Sequence, residues 1–194
     1  MADKIPVEVS ARHVHLSLED KEKLFGRGYV LKRIKNLSQE GEFACEETVT
    51  ISNGEIKIER VRVLGPERKQ TQVEISLTDA RHLKINPPIR VSGDVKNSVG
   101  INLIGPKGNV QLKEGVIVAK RHLHLSSEEA KKMKLKNEQK IKVKINSVER
   151  KLIFEDVVVR VGEKFRKSLH LDTDEGNAAG INGKTFGEIV KSKA

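Results

Sequence analysis

Alternation of apolar and polar residues with a period of two runs through most of this 194-residue chain, and many of the apolar residues are β-branched. The clearest segment is ETVTISNGEIKIERVRVLGP, in which two such runs meet at Asn53-Gly54, a dipeptide typical of tight hairpin turns. The same alternation predicts strands in IRVSGDV, GVIVAK, KIKVKIN and KLIFEDVVVRVG. Because alternate side chains of a strand face opposite sides of a sheet, the sequence predicts a mainly β fold.

Three short segments carry helix signals instead. Each begins with a serine at a plausible N-cap that is followed by acidic residues: Ser17–Gly26, Ser76–Asn86 and Ser126–Asn137. Many short strands separated by brief helices favour β-barrels capped by short α-helices over a sheet built from βαβ units.

A histidine-rich octapeptide occurs twice. It reads SARHVHLS at residues 10–17 and AKRHLHLS at residues 119–126, and the two copies hold four of the six histidines. Both copies lie in a strand-like run that leads into a capped helix, so we predict an internal duplication. The predicted domains are a first β-barrel over residues 1–108 and a second over residues 109–194, with room for strand exchange between them. A Gly- and Lys-rich segment near residues 105–115 is predicted to link them.

Within each copy the two histidines are two residues apart in a strand, so both side chains face the same side of the sheet. His13 with His15, and His122 with His124, would each supply half of a tetrahedral or octahedral metal site. A solvent-facing pair of histidines is the alternative for one copy taken alone. Two matching copies in a chain with so few histidines favour metal binding.

The remaining ligands must be histidine or carboxylate, because the single cysteine, Cys45, excludes a cysteine-rich zinc site. His170, in SLHLDTDEGNAAG, is the best candidate to complete one site. Glu74 is a candidate for the other, although a polar residue of an alternating strand could equally be solvated. His82 lies among charged neighbours and is predicted to be a surface residue. Cys45 has no basic neighbour and is not predicted to be a nucleophile.

The formal net charge of +10 favours an anionic partner: nucleic acid, a membrane surface or a phosphorylated small molecule. Aromatic residues that could stack on bases are scarce, with no Trp and one Tyr, so a phosphorylated small molecule fits better. Arg68 and Lys69, in a predicted loop, could hold a phosphate or could simply be solvated. The Gly-rich segment after His170 could approach a phosphate closely or could be a plain turn.

Four motifs in register, SARHVHLS, GPERKQTQVEIS, AKRHLHLS and LHLDTDEGNAAG, resemble the PduL-type phosphotransacylases, the phosphate propanoyltransferase family. The resemblance extends from about Val7 to Ile189. It implies an acyltransferase that interconverts acyl-CoA plus phosphate with acyl-phosphate plus CoA. It also implies two β-barrels, a centre of two Zn²⁺ ions (or another divalent metal), a homo-oligomer such as a dimer, and a place in fermentation or 1,2-propanediol degradation.

Motif by motif, the resemblance assigns residues of this chain to roles. The first metal would be held by His13, His15 and Glu74, and the second by His122, His124 and His170. The catalytic arginine that contacts phosphate would be Arg68. The contacts to CoA would come from Ser10, Lys35, Arg62, Leu64 and Asn177.

The resemblance further implies that phosphate attacks the thioester of propanoyl- or acetyl-CoA directly. A metal-dependent thioester or ester hydrolase on the same site is the alternative, and a nucleic-acid-binding barrel is a weaker one because it leaves the duplicated histidines unexplained. Nine residues precede Ser10, too few for the targeting extension of family members housed in microcompartments. With no membrane-length apolar run and no signal-peptide pattern, the chain is expected to be cytoplasmic, with neither membrane nor nucleic acid as a partner.

Overall fold

The computed structural model describes residues 4–190. In chain order the strands are β1 (Ile5–Ser10), β2 (His13–Ser17), β3 (Arg33–Asn36), β4 (Phe43–Asn53), β5 (Ile56–Arg68), β6 (Gln72–Glu74), β7 (Ile89–Arg90), β8 (Asn102–Ile104), β9 (Asn109–Gln111), β10 (Val116–Ala119), β11 (His122–Leu125), β12 (Lys140–Ile145), β13 (Leu152–Val161), β14 (Ser168–Asp172) and β15 (Thr185–Ile189). The helices are α1 (Leu18–Phe25), α2 (Leu77–His82), α3 (Ser127–Met133) and α4 (Thr173–Ala178). The fold is mainly β, as predicted.

The chain forms two compact units, which we call the barrel unit and the sheet unit. The barrel unit comprises the residues up to Ser10, Ser38–Glu40 and the residues from Lys120 onward. The sheet unit comprises Ala11–Leu37 and Gly41–Ala119. The division therefore falls after Ala119 rather than after residue 108, and β1 belongs with the strands of the second half of the sequence.

Six strands close the barrel in the order β1-β14-β11-β13-β12-β15. The sequence KIKVKI of β12 suits the wall of a barrel, because its three lysines face outward and are exposed, whereas Ile141, Val143 and Ile145 are buried. The strand β1 completes the barrel by pairing parallel to β14 and antiparallel to β15. The core of the barrel includes the fully buried Ile5, Leu123, Leu125, Ile145, Leu169 and Leu171.

The sheet unit pairs nine strands. Eight follow the path β7-β10-β6-β2-β5-β4-β8-β9, and β3 pairs with β4 off this path. The predicted hairpin is formed by β4 and β5 and turns at Gly54, whose φ of 59° suits glycine. The segment predicted to link two domains instead forms the hairpin of β8 and β9 inside this unit. A second closed barrel is not confirmed by the strand pairing.

The three predicted helices begin at the predicted N-caps, Ser17, Ser76 and Ser126, each of which accepts a hydrogen bond from the backbone amide three residues later. The prediction of a Gly-rich loop after His170 is wrong, because α4 occupies this segment. Its N-cap is Asp172, which forms a reciprocal capping box with Glu175. No helix within residues 4–190 is long and apolar enough to cross a membrane.

Candidate metal centres

The six predicted ligands form two groups, each of three side chains whose potential ligand atoms lie within 4.8 Å of one another. The first group, which we call trio 1, belongs to the sheet unit and consists of His13, His15 and Glu74. The second, trio 2, belongs to the barrel unit and consists of His122, His124 and His170.

Strand register assembles trio 1. The strand β2 lies between β5, which is parallel to it, and β6, which is antiparallel, and His13 is directly opposite Glu74. His13, His15 and Glu74 are only 6%, 3% and 8% exposed. The alternative that Glu74 is a solvated strand residue is therefore wrong: on β6 both faces of the strand are covered, and Gln72 is buried as well.

The orientation of His13 leaves one ring nitrogen ready to bind a cation. Its Nδ1 lies 2.9 Å from the carbonyl oxygen of Ala11. Because a carbonyl can only accept, Nδ1 carries a hydrogen and donates it, so in the neutral ring the lone pair is on Nε2. That Nε2 lies 3.6 Å from Oε2 of Glu74. A backbone carbonyl that fixes the ring in this way is common for histidines that bind metals.

Two neighbours that the sequence did not reveal hold Glu74. Its Oε1 accepts hydrogen bonds from Nε2 of Gln72 at 2.5 Å and from Oγ of Ser92 at 2.7 Å. The other oxygen, Oε2, remains on the side of His13. Gln72 could have been suspected, since it lies two residues from Glu74 on the same strand face. Ser92 lies 18 residues further along the chain, where no local pattern points back to Glu74.

The charges in trio 1 suit a cation. Burial alone would raise the pKa of Glu74, but the charge and hydrogen bonding of His13, with the hydrogen bond from Ser92, outweigh it and hold this pKa well below its usual range. Burial would likewise lower the pKa of His13, yet the Glu74 carboxylate raises it. Burial, with the charges of His13 and Arg68, lowers the pKa of His15 well below its ordinary value. The trio thus offers an anionic carboxylate and a neutral imidazole at neutral pH.

Trio 2 repeats the same plan. The strand β11 lies between the parallel β13 and the antiparallel β14, and His122 is directly opposite His170. Nδ1 of His122 donates to the carbonyl oxygen of Lys120 at 2.7 Å, as His13 does to the residue two before it. The ring centroids of His122 and His124 lie 4.6 Å apart, and those of His124 and His170 lie 4.8 Å apart.

The contacts of His170 come from β-strands rather than from α4. Asp172, two residues later, caps that helix and accepts a hydrogen bond from the backbone amide of Glu175 at 2.8 Å. Nε2 of His170 lies 2.8 Å from Oγ of Ser168 and 3.8 Å from Oε2 of Glu8. These contacts come from strand neighbours and from β1, whose pairing with β14 the sequence did not predict.

Both trios fit a divalent metal ion. Nδ1 of His15 is buried, and within residues 4–190 it makes no hydrogen bond of ordinary geometry, with only the backbone of Leu64 close enough to act on it, so this nitrogen is poorly satisfied. Two or three imidazoles with at most one carboxylate are donors that suit zinc and several other divalent ions. Three protein ligands leave a coordination position open, as in catalytic rather than purely structural sites.

Arg68 is connected to trio 1 through Ser92. It is the last residue of β5 rather than part of a loop. One terminal nitrogen, Nη2, donates to Oε1 of Glu42 at 3.1 Å, and the other, Nη1, donates to Oγ of Ser92 at 3.4 Å. Because Ser92 in turn donates to Glu74, the guanidinium and the Glu74 carboxylate share one hydrogen-bonded partner. The positively charged Arg68, which suits anion binding, therefore lies beside the candidate metal ligands of trio 1.

The five predicted CoA contacts lie in both units. In the sheet unit, Arg62 is opposite His13 and Leu64 is opposite His15 in the register of β2 with β5, whereas Lys35 is exposed on β3. In the barrel unit, Ser10 ends β1 and Asn177 is exposed on α4.

The residues predicted to be inactive are where the sequence suggested. His82 is exposed at the end of α2. Cys45 is fully buried, and burial together with the charge of Glu47 raises the pKa of its thiol to about 11. A cavity of about 680 Å³ in the barrel unit is lined by none of the predicted site residues.

The chain is similar to known proteins of one family over most of its length. The family model for phosphate propanoyltransferase matches residues 6–182 of the chain. The phosphate propanoyltransferase of Thermotoga maritima is 52% identical over 187 residues, which cover 96% of this chain and 89% of that protein. The phosphate propanoyltransferases of Clostridioides difficile and Enterococcus faecalis are 46% and 45% identical, over 96% and 95% of this chain and 89% and 87% of their own lengths. The chain therefore belongs to the phosphate propanoyltransferase family.

Proposed function

We propose that this acyltransferase interconverts a short-chain acyl-CoA plus phosphate with acyl-phosphate plus CoA, and that it accepts propanoyl- or acetyl-CoA. The family assignment supports the reaction class. The observation that carries the assignment to this site is the hydrogen-bonded path from Arg68 through Ser92 to Glu74. It brings a guanidinium, which suits phosphate, next to a buried set of metal ligands.

Two Zn²⁺ ions, or another divalent metal, would be held by trio 1 and trio 2. The fixed ring of His13, the buried and poorly satisfied Nδ1 of His15 and the repeated strand register support this assignment. When bound, such ions supply Lewis acidity towards a thioester carbonyl and a partner for a departing thiolate.

The protein's own groups have a simple task in this reaction, because phosphate is already an anionic nucleophile. A phosphate oxygen forms the new bond to the acyl carbon, the carbon–sulfur bond breaks, and the sulfur leaves with the electron pair as thiolate. Arg68 would orient the phosphate by two parallel hydrogen bonds once its guanidinium turns from Glu42. No acyl-enzyme is needed, and the buried, high-pKa Cys45 is unsuited to form one.

The contacts to CoA are proposed from the resemblance: Ser10, Lys35, Arg62, Leu64 and Asn177. In support, Arg62 and Leu64 lie opposite the two histidines of β2. The net charge of +10 also complements a cofactor that carries several phosphates. The cytoplasmic location, the homo-oligomer and the metabolic role stay predictions.

We also propose that the two trios and the strands around them arose by duplication. In each unit the His-x-His strand lies between a parallel and an antiparallel neighbour, and the third ligand is opposite the first histidine. In each unit, too, the strand leads directly into a helix capped by serine.

The test of the proposed function is CoA release from acetyl-, propanoyl- and butyryl-CoA with and without phosphate, combined with metal analysis of the same sample. We expect CoA release to require phosphate and to yield acyl-phosphate. CoA release at the same rate without phosphate would instead identify the metal-dependent hydrolase. A fully active preparation without divalent metal would refute the assignment of the two trios.

A further inference from the structure

An arginine immediately precedes the first histidine of each trio, and in both units it contacts an acidic residue of a helix. Nε and Nη2 of Arg12 lie 2.9 Å and 2.7 Å from Oδ1 of Asp79. Nη1 of Arg121 lies 3.3 Å from Oε1 of Glu175. The Asp79 side chain is only 5% exposed and that of Glu175 is 20% exposed, so both carboxylates are largely withdrawn from solvent.

The two acids occupy the same position relative to the third metal ligand. Asp79 and Glu175 are each the third residue of a helix, α2 and α4, and each lies five residues after the third ligand, Glu74 or His170. In each acid, one carboxyl oxygen accepts from the N-cap amide of the helix and the other faces the arginine. Oδ2 of Asp79 accepts from the N-cap amide of Ser76 at 3.2 Å, and its Oδ1 faces the arginine.

Glu175 repeats this division in the barrel unit. Its Oε2 accepts from the N-cap amide of Asp172 at 3.1 Å, and its Oε1 faces Arg121. In each unit the acid therefore links two segments. One is the backbone two residues after the third ligand, and the other is the arginine side chain one residue before the first ligand. We call each such arrangement an arginine clamp: Arg12 with Asp79, and Arg121 with Glu175.

Strand pairing shows what the clamps have to hold. The rung that joins His13 to Glu74 is the last one between β2 and β6, since His13 begins β2 and Glu74 ends β6. The rung that joins His122 to His170 is likewise the last between β11 and β14, since His122 begins β11. Terminal rungs open more easily than inner ones, because no further rung between the same two strands follows them. Other neighbouring strands still hold β6 and β14 at this point. Each clamp lies just past such a rung and adds a side-chain link between the same two segments.

We propose that Arg12 and Arg121 are positioning residues, each of which fixes the spacing of the first and third metal ligands in its own unit. The inference rests on the proposed ligand assignment. Because Arg12 and Arg121 lie next to ligands of different trios, removal of either arginine should weaken metal binding only at its own trio. Neighbours that hold metal ligands in place typically change metal affinity by about 10-fold to 100-fold when they are removed.

The experiment measures Zn²⁺ affinity of the full chain by competition with a chromophoric chelator, with one trio disabled at a time. In a His124→Ala background, where trio 1 remains, we expect Arg12→Gln to weaken Zn²⁺ binding about 10-fold or more, and Arg121→Gln to change it less than about twofold. In a His15→Ala background, where trio 2 remains, the two arginine variants should exchange their effects. Each variant is thus the matched control of the other.

The conservative variant Arg12→Lys separates positioning from general stability. A lysine keeps the charge but offers only one ammonium to Oδ1 of Asp79, so we expect an affinity between those of the parent and Arg12→Gln. If Arg12→Gln does not fold, Arg12→Lys decides in the same background, and an unchanged affinity there overturns the proposal.

Several further outcomes also count against the proposal. Equal weakening of both trios by either arginine variant would show a global loss of stability and overturn the positioning role, as would unchanged affinities. Tight Zn²⁺ binding that persists when His15→Ala and His124→Ala are combined would overturn the ligand assignment, and the clamps with it. Loss of binding in that double variant, with no effect of the arginine variants, would overturn the clamps alone.

Discussion

Replacement of Glu175 by Gln should change how the stability of the protein depends on pH. Burial, together with the charge of Asp172, raises the pKa of the Glu175 carboxyl from its ordinary 4.5 to about 7, and Arg121 compensates only in part. The folded state therefore binds this proton more tightly than the unfolded chain. Below about pH 4.5 both states carry the proton, and between about pH 4.5 and 7 the unfolded state ionises first, so stability falls as pH rises.

The magnitude follows from the size of the shift. A difference of about 2.5 pKa units corresponds to about 3 kcal/mol, reached in full only above about pH 7. Glutamine has the same shape and can still accept from the Asp172 amide, but it does not titrate. We therefore expect the variant Glu175→Gln to gain stability relative to the parent as pH rises. The difference in unfolding free energy, variant minus parent, should increase by up to about 3 kcal/mol between pH 4.5 and 8.

The assay is urea unfolding at a series of pH values between 4.5 and 8, with chelator present in all samples so that metal binding does not contribute. Histidine protonation affects parent and variant alike and cancels in the difference. A difference in unfolding free energy that stays constant over this range would refute the reasoning, as would one that grows in favour of the parent as pH rises.

Three further substitutions test other parts of the structure. Arg68→Ala should lower turnover by about 100-fold or more while metal content stays near that of the parent, because only the phosphate-orienting group is removed; activity that survives would refute the role of Arg68. Glu42→Gln should lower KM for phosphate but not for acyl-CoA, because it weakens the contact that occupies Nη2 of Arg68; steady-state kinetics with an unchanged or higher KM for phosphate would contradict this. Leu123→Ala, at a fully buried position, should cost about 2–5 kcal/mol of unfolding free energy in urea, and a cost below about 1 kcal/mol would mean that the barrel core repacks around the lost side chain.

Local signals explain what the sequence predicted correctly. The alternation of β12, the Asn-Gly turn of β4 and β5, and the serine N-caps are each contained in a few consecutive residues. The same-face pairing of His13 with His15 follows from the two-residue period of a strand alone. The helix α4 was missed although Asp172 and Glu175 carry its capping box, because Gly176 and Asn177 within it are typical of loops.

Contacts between distant segments explain what the sequence did not predict. The residue pattern made Glu74 a candidate ligand but left open that it is solvated, since its burial depends on the pairing of β6 with both β2 and β10. Ser92 and Glu42 reach the site from other parts of the fold, so no spacing along the chain marks them. The membership of β1 in the barrel unit likewise rests on pairing with strands more than 150 residues away.

That pairing has a consequence for synthesis of the chain. The strand that completes the barrel, Ile5–Ser10, leaves the ribosome long before both of its neighbours, β14 and β15. A nascent chain therefore carries β1 without these partners until β14 and β15 have been made, while the sheet unit can already fold. Closure of the barrel is a late, long-range event of the kind that slows folding. Until it occurs, β1 presents unpaired backbone groups that invite pairing with other chains.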